Sequence, residues 1–362
     1  MKKMVLVVDW LDLYGGAEKV ITEIDRIFDF EKFYALTDVR KDSEKHKFFK
    51  NNPKIITTQL QYFGKYFRYL LPLFPYFVNQ IKIETDTDII ISSSHNIAKG
   101  INKTHPKQKH ISYIQSRNLK YIWDEAQLKI YFGKLGFLIR PFVNYLRNYD
   151  VKTAQKPDLL IANSEFQRKW IKEHYHRDSI VIYPPVDLSL FQLYPNKEDY
   201  YVAVGRFAKM KRFDLLIKAF NQMPDKKLIL IGDGALMSQF QAMAKSNIEF
   251  PGFLSSEGVY DIVKKAKASV YVGIEDFGIA AVESQSAGTP VIAYKVGGTG
   301  ETIVHKKTGY LYTEQTVVSI MEAVQAFERQ NLPPPHIIQQ NAQQFSSDAF
   351  RERLAEAVQQ FL

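Results

Sequence analysis

The stretch Glu275-Asp276-Phe277-Gly278-Ile279-Ala280-Ala281-Val282-Glu283 is the most informative part of this chain. Its apolar residues predict a helix that begins after Gly278, and the first amides of a helix are unpaired and carry partial positive charge. Such a helix start can bind a phosphate. Glu275 would lie beside the anion, and Glu283 about two turns along the helix, roughly 80° round its axis. One carboxylate can accept the hydroxyls of a sugar and the other those of a ribose. The alternative is an acid that complements the helix dipole, together with a solvated glutamate.

Around this stretch, predicted strands and helices alternate along the whole chain. In the second half, strands are predicted at residues 200–204, 227–231, 248–250, 268–272, 290–294 and 309–312. In the first half, strands are predicted at residues 4–8, 32–35, 88–91, 110–113 and 159–162. These strands are apolar without strict alternation, which is typical of parallel strands covered on both faces. The pattern predicts two doubly wound α/β domains, each able to bind a ligand at the carboxyl edge of its sheet.

The length and composition fit two domains. The chain has 362 residues, 46% of them hydrophobic, which is enough for two ordinary cores. The stiff double-proline connector Val181-Ile182-Tyr183-Pro184-Pro185-Val186-Asp187 lies at the boundary between a predicted domain at residues 1–180 and one at residues 181–346. A helix at about 347–362 is expected to pack back on the first domain. The chain has no cysteine, which excludes disulfides and thiolate metal sites. No stretch has the length of a membrane span, and no signal peptide is predicted.

Positive charge is concentrated in the first half of the chain. The net charge is +9, and residues 1–180 contain 30 Lys and Arg against 20 Asp and Glu. Two segments there, residues 60–71 and 131–140, combine aromatic residues, leucines and bases without acids. Such segments are typical of proteins that bind an anionic membrane surface. The alternative is a pair of core helices with snorkelling bases. The aromatic content disfavours nucleic acid as the partner of this basic half.

Several loops after predicted strands have residues that suit a phosphate. Gly15 and Gly16 follow the first strand and open a helix, where glycine lets the backbone approach an anion. Gly205-Arg206 ends the first strand of the second domain, and Lys211 comes five residues after Arg206. An arginine fork and a lysine at the edge of a sheet can neutralise a diphosphate, although they can also be surface bases that cap a strand and a helix.

The sequence resembles the retaining glycosyltransferases of family 4 over essentially its whole length. The resemblance rests on Gly205-Arg206 with Lys211, Ile231-Gly232-Asp233-Gly234, Pro251-Gly252-Phe253, the two glutamates of the opening stretch, Ser286-Ala287-Gly288-Thr289-Pro290-Val291, Gly297-Gly298-Thr299-Gly300-Glu301 and Thr308-Gly309-Tyr310-Leu311. It implies the GT-B fold, an α/β architecture of two doubly wound domains that face each other across a cleft. Further motifs resemble the branch that uses GDP-mannose: Ile91-Ser92-Ser93-Ser94-His95, Lys120-Tyr121-Ile122-Trp123-Asp124, Ala162-Asn163-Ser164-Glu165-Phe166 and Tyr183-Pro184-Pro185-Val186-Asp187.

The resemblance implies roles for individual residues. Arg206 and Lys211 would clamp the donor diphosphate, and Glu275 would hold the transferred sugar near the reacting carbon. Other donor contacts would come from Gly15, Gly16, Gln115, Phe253, Leu254, Phe277, Gly278, Ile279 and Glu283. His95 and Trp123 are expected on the acceptor side, and a capping or core role is the alternative for His95. No metal and no cofactor are expected, and Asp86-Thr87-Asp88 is interpreted as a turn before a strand.

One position departs from the family pattern. The family usually has Tyr-x-His-Thr/Ser-Pro after its fourth strand, with the histidine on the transferred sugar. This chain has Tyr113-Ile114-Gln115-Ser116-Arg117 instead. Gln115 can donate and accept hydrogen bonds, but it cannot take up a proton. The identity of the sugar is therefore open at this point.

The predicted function is transfer of a hexose, mannose from GDP-mannose, to a glycan or a lipid-linked glycan in cell-surface polysaccharide assembly. The alternatives are a UDP-sugar donor, a sugar-nucleotide epimerase of the same architecture and a non-catalytic sugar-nucleotide-binding partner. The expected partners are a nucleotide sugar, a glycan acceptor and an anionic membrane surface that binds the first domain. The expected location is the cytoplasm, peripheral on the inner face of the cell membrane.

Overall fold

The computed structural model describes residues 2–117, 120–124, 128–129, 133–331 and 333–362. The chain forms two compact units: unit 1 comprises Met1–Pro185 and Phe350–Leu362, and unit 2 comprises Val186–Ala349. The division follows Pro185 instead of residue 180, because Ile180–Val181 pairs with Leu159–Ala162 as a further strand of the first sheet.

Unit 1 contains a seven-stranded parallel sheet in the order β3-β2-β1-β4-β5-β6-β7. Its strands β1 to β7 are Met4–Val8, Lys32–Ala35, Ile55–Thr57, Ile89–Ser94, Lys109–Ile114, Leu159–Ala162 and Ile180–Val181. The described α-helices associated with it are Gly16–Ile27, Phe74–Val78, Lys120–Trp123, Arg140–Thr153, Glu165–Tyr175 and Ser347–Phe361, and the 3₁₀ helices are Asp42–Lys47, Gln59–Leu73, Ala98–Gly100 and Gly133–Phe137.

Unit 2 contains a six-stranded parallel sheet in the order β10-β9-β8-β11-β12-β13. Its strands β8 to β13 are Glu198–Val204, Lys227–Ile231, Ile248–Gly252, Ala266–Tyr271, Val291–Tyr294 and Gly309–Tyr312. Its described α-helices are Phe213–Phe220, Met237–Met243, Ser256–Val263, Ile279–Ser286, Gly298–Glu301, Val317–Glu328 and Pro335–Gln343, and a 3₁₀ turn is formed by Lys209–Lys211.

The central strands are covered on both faces. In β1, Leu6 and Val8 pack into one apolar cluster, and Val5 and Val7 pack into a separate cluster. Because successive side chains of a strand point to opposite faces, both faces of the sheet are buried. The prediction of two doubly wound domains is confirmed, and the burial explains why the strand sequences lack polar alternation.

Each sheet has one position where the strand order reverses. In unit 1 the chain runs outward from β1 in one direction and then resumes on the other side at β4. In unit 2 the equivalent reversal lies between β8 and β11. In open α/β sheets, ligands bind in the crevice beyond the carboxyl ends of the strands at such a reversal.

The helix Ser347–Phe361 contributes to the core of unit 1. Phe350, Leu354 and Val358 are spaced four residues apart and are buried in the cluster that contains Leu6. The ring of Phe350 lies edge-on to Tyr113 of β5, with 5.8 Å between the centroids. Residues 350–362 therefore belong to unit 1 although they follow unit 2 in the sequence.

The first aromatic-basic segment, residues 60–71, lies in the 3₁₀ helix Gln59–Leu73. Leu60 and Phe67 are buried, whereas Tyr62, Tyr66 and Tyr69 are 88%, 73% and 82% exposed. The segment therefore contributes to the core and also has an exposed aromatic face. The second segment, residues 131–140, lies partly outside the described residues. No described helix has both the length and the apolar character needed to cross a membrane.

Candidate functional site

Lys211 and Glu275 form an ion pair at the strand reversal of unit 2. Lys211 ends the 3₁₀ turn Lys209–Lys211 after β8, and Glu275 lies in the loop after β11. The Lys211 Nζ lies 2.7 Å from the Glu275 Oε1, and the two side chains are 29% and 24% exposed. The pair thus joins the two loops that border the crevice, and it remains accessible to a ligand.

Gly273 allows these two loops to touch. A Cβ atom at position 273 would lie 2.7 Å from the Met210 carbonyl oxygen and 3.0 Å from the Lys211 Cα. Both are backbone atoms, so a larger residue would force the loops apart. The glycine therefore sets the short distance between the lysine and the glutamate.

The helix Ile279–Ser286 begins immediately beyond Glu275. Its N-cap is Gly278, which has a φ of +100° that L-residues rarely adopt. A Cβ there would lie 2.3 Å from the Thr299 Oγ1. This hydroxyl is buried and makes no hydrogen bond to another residue of the described chain. Phe277 anchors the preceding residues by packing edge-on against Phe345, with centroids 5.5 Å apart.

The loop after β12 supports the position of Glu275 from the other side. The Gly298 N–H donates to the carbonyl oxygen of Glu275 at 2.8 Å. A Cβ on Gly297 would lie 2.7 Å from that same carbonyl oxygen. The glycines that the sequence places at this strand end therefore serve close backbone packing around the carboxylate loop.

Both glutamates of the opening stretch lie near Tyr271, the last residue of β11. Burial raises the pKa of the Tyr271 hydroxyl, and the charges of Glu283 and Glu275 raise it further, while the nearby hydroxyls of Ser284 and Ser269 oppose the increase. Because both carboxylates act on the same phenol, they share one region of the sheet edge. Unit 2 thus places the helix start, Lys211 and the two carboxylates at one edge of its sheet, and their binding roles stay predictions.

The remaining residues of unit 2 that the sequence analysis assigned to the donor lie at the same edge of the sheet. Arg206 is exposed and follows β8 by one glycine. Phe253 follows β10 and is 81% exposed, whereas Leu254 packs partly into an apolar cluster. The structure places Phe253 two strands away from β8, which is a position suited to a flat group at the periphery of the site.

In unit 1, the Gly15–Gly16 loop is occupied by a side chain of its own helix. The Gly15 N–H donates to the Glu18 Oε2 at 3.1 Å. Glu18 is buried, and burial raises the pKa of its carboxyl. The amide that the sequence assigned to a diphosphate is therefore bonded to Glu18 in this structure. The sequence analysis did not identify Glu18.

Gln115 connects the first turn of the helix Gly16–Ile27, strand β4 and the residue that follows β6. Its Nε2 donates to the Ala17 carbonyl at 2.9 Å and to the Ser93 Oγ at 2.6 Å. The backbone carbonyl of Gln115 accepts from the Asn163 Nδ2 at 2.6 Å. The side chain that replaces the histidine of the family pattern therefore holds the glycine loop against β4.

Trp123 lies in a buried polar network. Its indole N–H donates to the Asp150 Oδ2 at 3.1 Å, and the Tyr175 hydroxyl donates to the same oxygen at 2.7 Å. Lys99 pairs with the other oxygen of Asp150 at 2.6 Å, with both side chains almost fully buried. These contacts give Trp123 a role in holding the fold of unit 1.

His95 lies at the strand reversal of unit 1, beside a carboxylate that the sequence analysis missed. Its Nδ1 lies 3.2 Å from the Oδ2 of Asp9, which is the first residue after β1. The sequence does indicate this residue, because Asp9 directly follows an apolar strand. Arg206 has a similar position in unit 2, one glycine after its strand.

Asp86 and Asp88 lie at the opposite edge of the first sheet, just before β4. The Lys3 Nζ pairs with Asp86 at 2.6 Å, and the Lys3 backbone N–H donates to Asp88 at 2.8 Å. Residues 85–86 form a turn, as predicted. Among the described residues, no group of three or more His, Asp or Glu is arranged to hold a metal ion.

Comparison with known sequences finds a family match within unit 2. Residues 191–345 match the family model described as glycosyl transferases group 1. An uncharacterized glycosyltransferase of Methanocaldococcus jannaschii is 32% identical over 174 residues, which are 46% of this chain and 48% of that protein. A D-inositol 3-phosphate glycosyltransferase of Mycobacterium sp. (strain KMS) is 28% identical over 186 residues, 44% of this chain and 42% of that protein. The chain spans about half the length of the curated relatives it matches.

Comparison with solved structures covers both units. The crystal structure of Anabaena Alr3699/HepE in complex with UDP and glucose aligns with 99% of this chain and 100% of its own, with a TM-score of 0.69 and 18% identity. Together with the two doubly wound units, this similarity confirms the predicted GT-B fold class. At this level of identity it concerns the fold alone.

Proposed function

We propose that this chain is a retaining glycosyltransferase that moves a hexose from a nucleotide sugar to a carbohydrate acceptor. The observation that carries the proposal is the ion pair of Lys211 and Glu275 beside the start of the helix Ile279–Ser286. A cation, a carboxylate and free helix amides at one strand reversal suit a ligand that combines a diphosphate with hydroxyl groups. The match to the glycosyl transferases group 1 model supports this, because residues 191–345 contain all three features.

The charges fit the reaction. Cleavage of a bond between a sugar and a diphosphate develops negative charge on the leaving group and positive character on the sugar. Lys211, the exposed Arg206 and the helix amides oppose the first charge, and a single such preorganised donor is worth about 3–4 kcal/mol. Glu275 would accept hydroxyls of the sugar, and Glu283 those of the ribose.

Lys211 can serve the diphosphate without leaving Glu275. A lysine ammonium has three N–H donors, and one of them is directed to Glu275 in this structure. The others can donate to phosphate oxygens. In the proposed complex the lysine therefore bridges the leaving group and the carboxylate that holds the sugar. With the positive charge supplied by side chains and helix amides, the proposed reaction needs no metal ion and no cofactor.

We propose GDP-mannose as the donor on the strength of the sequence motifs that resemble the mannosyltransferase branch. A UDP-hexose is the alternative donor, and the UDP bound in the Anabaena structure supports this alternative. In the proposed complex the base contacts peripheral residues such as the exposed Phe253.

A thermal-shift panel of GDP-, UDP- and ADP-sugars tests both the function and the donor. A ligand at one hundred times its Kd stabilises the folded protein by about 2.7 kcal/mol. We expect one nucleotide class to raise the Tm of the wild type and of Lys218→Ala, an exposed control in the helix Phe213–Phe220. The increase should be lost in Lys211→Ala. If no nucleotide sugar stabilises the wild type, the proposal is wrong.

An epimerase of the same architecture is the rival enzyme, and the family match does not favour it. The two differ in product, because an epimerase converts its nucleotide sugar without an acceptor. A non-catalytic binding partner would bind the nucleotide sugar and show no turnover with any acceptor. Product analysis with and without acceptor therefore separates the three.

We propose that the acceptor is a glycan or lipid-linked glycan of cell-surface polysaccharide assembly, and that the enzyme binds the inner face of the cell membrane through unit 1. The exposed rings of Tyr62, Tyr66 and Tyr69 support this, since they leave a large aromatic area uncovered on Gln59–Leu73. Lys65 and Arg68 lie among them, and the chain has no acid between Glu44 and Glu84. Aromatic rings next to bases are suited to the interface of an anionic bilayer.

A further inference from the structure

A cavity of about 250 Å³ lies among the loops that follow β1 and β2 in unit 1. Three segments form it: the loop after β1, the loop and 3₁₀ helix after β2, and the 3₁₀ helix Gln59–Leu73. Its volume is near the lower end for ligand pockets, which is roughly 300 Å³, so it suits a small ligand or one group of a larger ligand. The residues that line this Lys41 cavity are Asp12, Leu13, Val39, Lys41, Glu44, Lys65, Phe67 and Arg68.

The charges of the lining favour an anion. It has three bases and two acids. Lys41 and Lys65 are exposed, and neither forms an ion pair with another described residue. Glu44, in contrast, has the Lys47 Nζ at 3.8 Å from its Oε1. The two lysines therefore leave positive charge in the cavity that no carboxylate of the described chain neutralises.

Arg68 is held in place at the wall of the Lys41 cavity. Its Nη2 donates to the Asp12 Oδ2 at 2.7 Å. The centre of its guanidinium lies over the ring of Phe67 at 5.0 Å and over that of Trp10 at 6.0 Å. A guanidinium has five N–H donors, so the bond to Asp12 leaves donors for a phosphate oxygen. Because the side chain is already held, it loses little rotamer entropy when a ligand binds.

The cavity adjoins the exposed aromatic face of Gln59–Leu73. A 3₁₀ helix has three residues per turn, so Lys65 and Arg68 share one side of it, and Tyr66 and Tyr69 share the next. Both tyrosines are largely exposed, and their rings stack with 6.4 Å between the centroids. Two bases of the cavity thus stand beside the rings that the proposed function places against a bilayer.

We infer that the Lys41 cavity binds the phosphate of a lipid headgroup through Lys41, Lys65 and Arg68. Val39 and Phe67 also line it and provide apolar contact for the carbons next to the phosphate. The choice of a lipid as the source of the phosphate rests on the proposed function, in which this part of unit 1 contacts the membrane. The inference goes beyond diffuse attraction, because it assigns a specific role to Lys41, which lies outside the aromatic segment.

Glycerol 3-phosphate, the phosphate group of a lipid without its chains, tests the cavity in solution. We expect it to bind the wild type in ³¹P NMR, and Lys41→Gln to weaken its Kd at least fivefold. Lys54→Gln is the matched control, because it removes the same charge from an exposed lysine of unit 1 that does not line the cavity. It should bind as the wild type does.

Vesicles of phosphatidylcholine with phosphatidylglycerol test the lipid as the source. Lys41→Gln should lower the partition coefficient at least threefold more than Lys54→Gln, although the two variants have the same net charge. Glycerol 3-phosphate, added at constant ionic strength, should release the wild type from the vesicles and should have little effect on Lys41→Gln.

The inference is overturned if glycerol 3-phosphate does not bind the wild type, or if it binds Lys41→Gln equally well. Binding of glycerol 3-phosphate together with equal vesicle binding by the two variants would overturn the lipid headgroup and leave a site for a soluble phosphate. If both tests succeed while no nucleotide sugar stabilises the protein, the proposed transferase function fails and the headgroup site stands.

Discussion

Lys211 and Glu275 are partners of each other: the lysine Nζ lies 2.7 Å from the glutamate Oε1 across the reversal of the second sheet. The sequence assigned them to different parts of one ligand, the diphosphate and the sugar. Their pairing means that neither charge is isolated before the ligand binds. A partly exposed pair of this kind contributes little to stability, so its placement is better explained by binding.

The cations at this edge should dominate turnover. We expect Arg206→Ala and Lys211→Ala each to lower kcat at least a hundredfold, the magnitude of losing one preorganised donor to a developing anion. Steady-state kinetics with the donor from the thermal-shift panel measures this, with Lys218→Ala as the control. Near-normal turnover in either folded variant would remove that residue from the diphosphate site.

The two glutamates should differ in the constant that they affect. Glu275→Gln should lower kcat about as strongly as loss of a cation, because in the proposed complex Glu275 contacts the sugar beside the reacting carbon. Glu283→Gln should mainly raise the KM for the nucleotide sugar, because ribose contacts are the same in the ground state and the transition state. Donor-saturation curves of the two variants check this. The assignment fails if both variants change only KM.

Activity should persist in excess chelator. Lys211, Arg206 and the amides at the start of Ile279–Ser286 supply the positive charge, so EDTA should leave the rate of transfer within about twofold. The measurement compares initial rates before and after dialysis against EDTA. A complete loss of activity that magnesium or manganese restores would show that a metal ion is needed, and Asp86 and Asp88 of unit 1 would then be the candidate ligands.

Unit 1 should bind anionic membranes in a salt-sensitive way. Each base near such a surface contributes about 1 kcal/mol, which is screened within roughly 8 Å at physiological salt. We expect sedimentation with vesicles that contain phosphatidylglycerol, and little with phosphatidylcholine alone. Lys65→Glu and the triple change of Tyr62, Tyr66 and Tyr69 to Ser should weaken it, and Lys218→Glu in unit 2 should not. Equal binding to both vesicle types through 1 M salt would contradict an electrostatic surface.

The buried His110 should make unit 1 sensitive to acid. Its Nε2 lies 2.8 Å from the Ser92 Oγ, which itself donates to Ser112, and its buried Nδ1 has no hydrogen-bond partner among the described residues. A second proton would lie on that nitrogen, and burial lowers the pKa of His110 from 6.5 to about 3, although Asp158 opposes the shift. Between these values the unfolded chain binds more protons, so stability falls as the pH drops from 6.5 toward 3.

The size of this effect at pH 4 is roughly 3 kcal/mol, at about 1.4 kcal/mol for each pKa unit. Urea denaturation at pH 7 and pH 4 should show a smaller acid penalty in His110→Gln than in the wild type. His105→Gln, on the surface of the same unit, should match the wild type. An unchanged pH dependence in His110→Gln would show that other groups control acid unfolding.

The sequence predicted the six strands of unit 2 and five of the seven strands of unit 1, and it missed the short strands Ile55–Thr57 and Ile180–Val181. These predictions succeeded because strand ends are marked by local patterns, such as the apolar run before Arg206 and the glycine before Ile279. The pairing of Lys211 with Glu275 was not predictable in this way. It depends on β8 lying next to β11, and strand order is set by packing over the whole sheet.

Asp9 was missed for the same reason. Its hydrogen-bond partners, His95 to Ala98, lie 86 to 89 residues away and become neighbours only because β4 pairs with β1. Glu18 was missed because its bond to Gly15 has the three-residue spacing of a common capping interaction at a helix N-terminus. That spacing alone does not mark a functional residue. The aromatic segment at residues 60–71 was ambiguous between core and surface, and the structure shows both.

The C-terminal helix has a consequence for how the protein is made. Phe350, Leu354 and Val358 fill part of the core around β1, so unit 1 lacks these side chains until residues 350–362 have left the ribosome. Unit 2 is a continuous stretch, and its core can close earlier in synthesis. Until residues 350–362 are synthesised, residues 1–185 therefore expose the apolar surface that this helix covers. A chain released before residue 350 would keep that surface exposed and would be a substrate for chaperones and proteases.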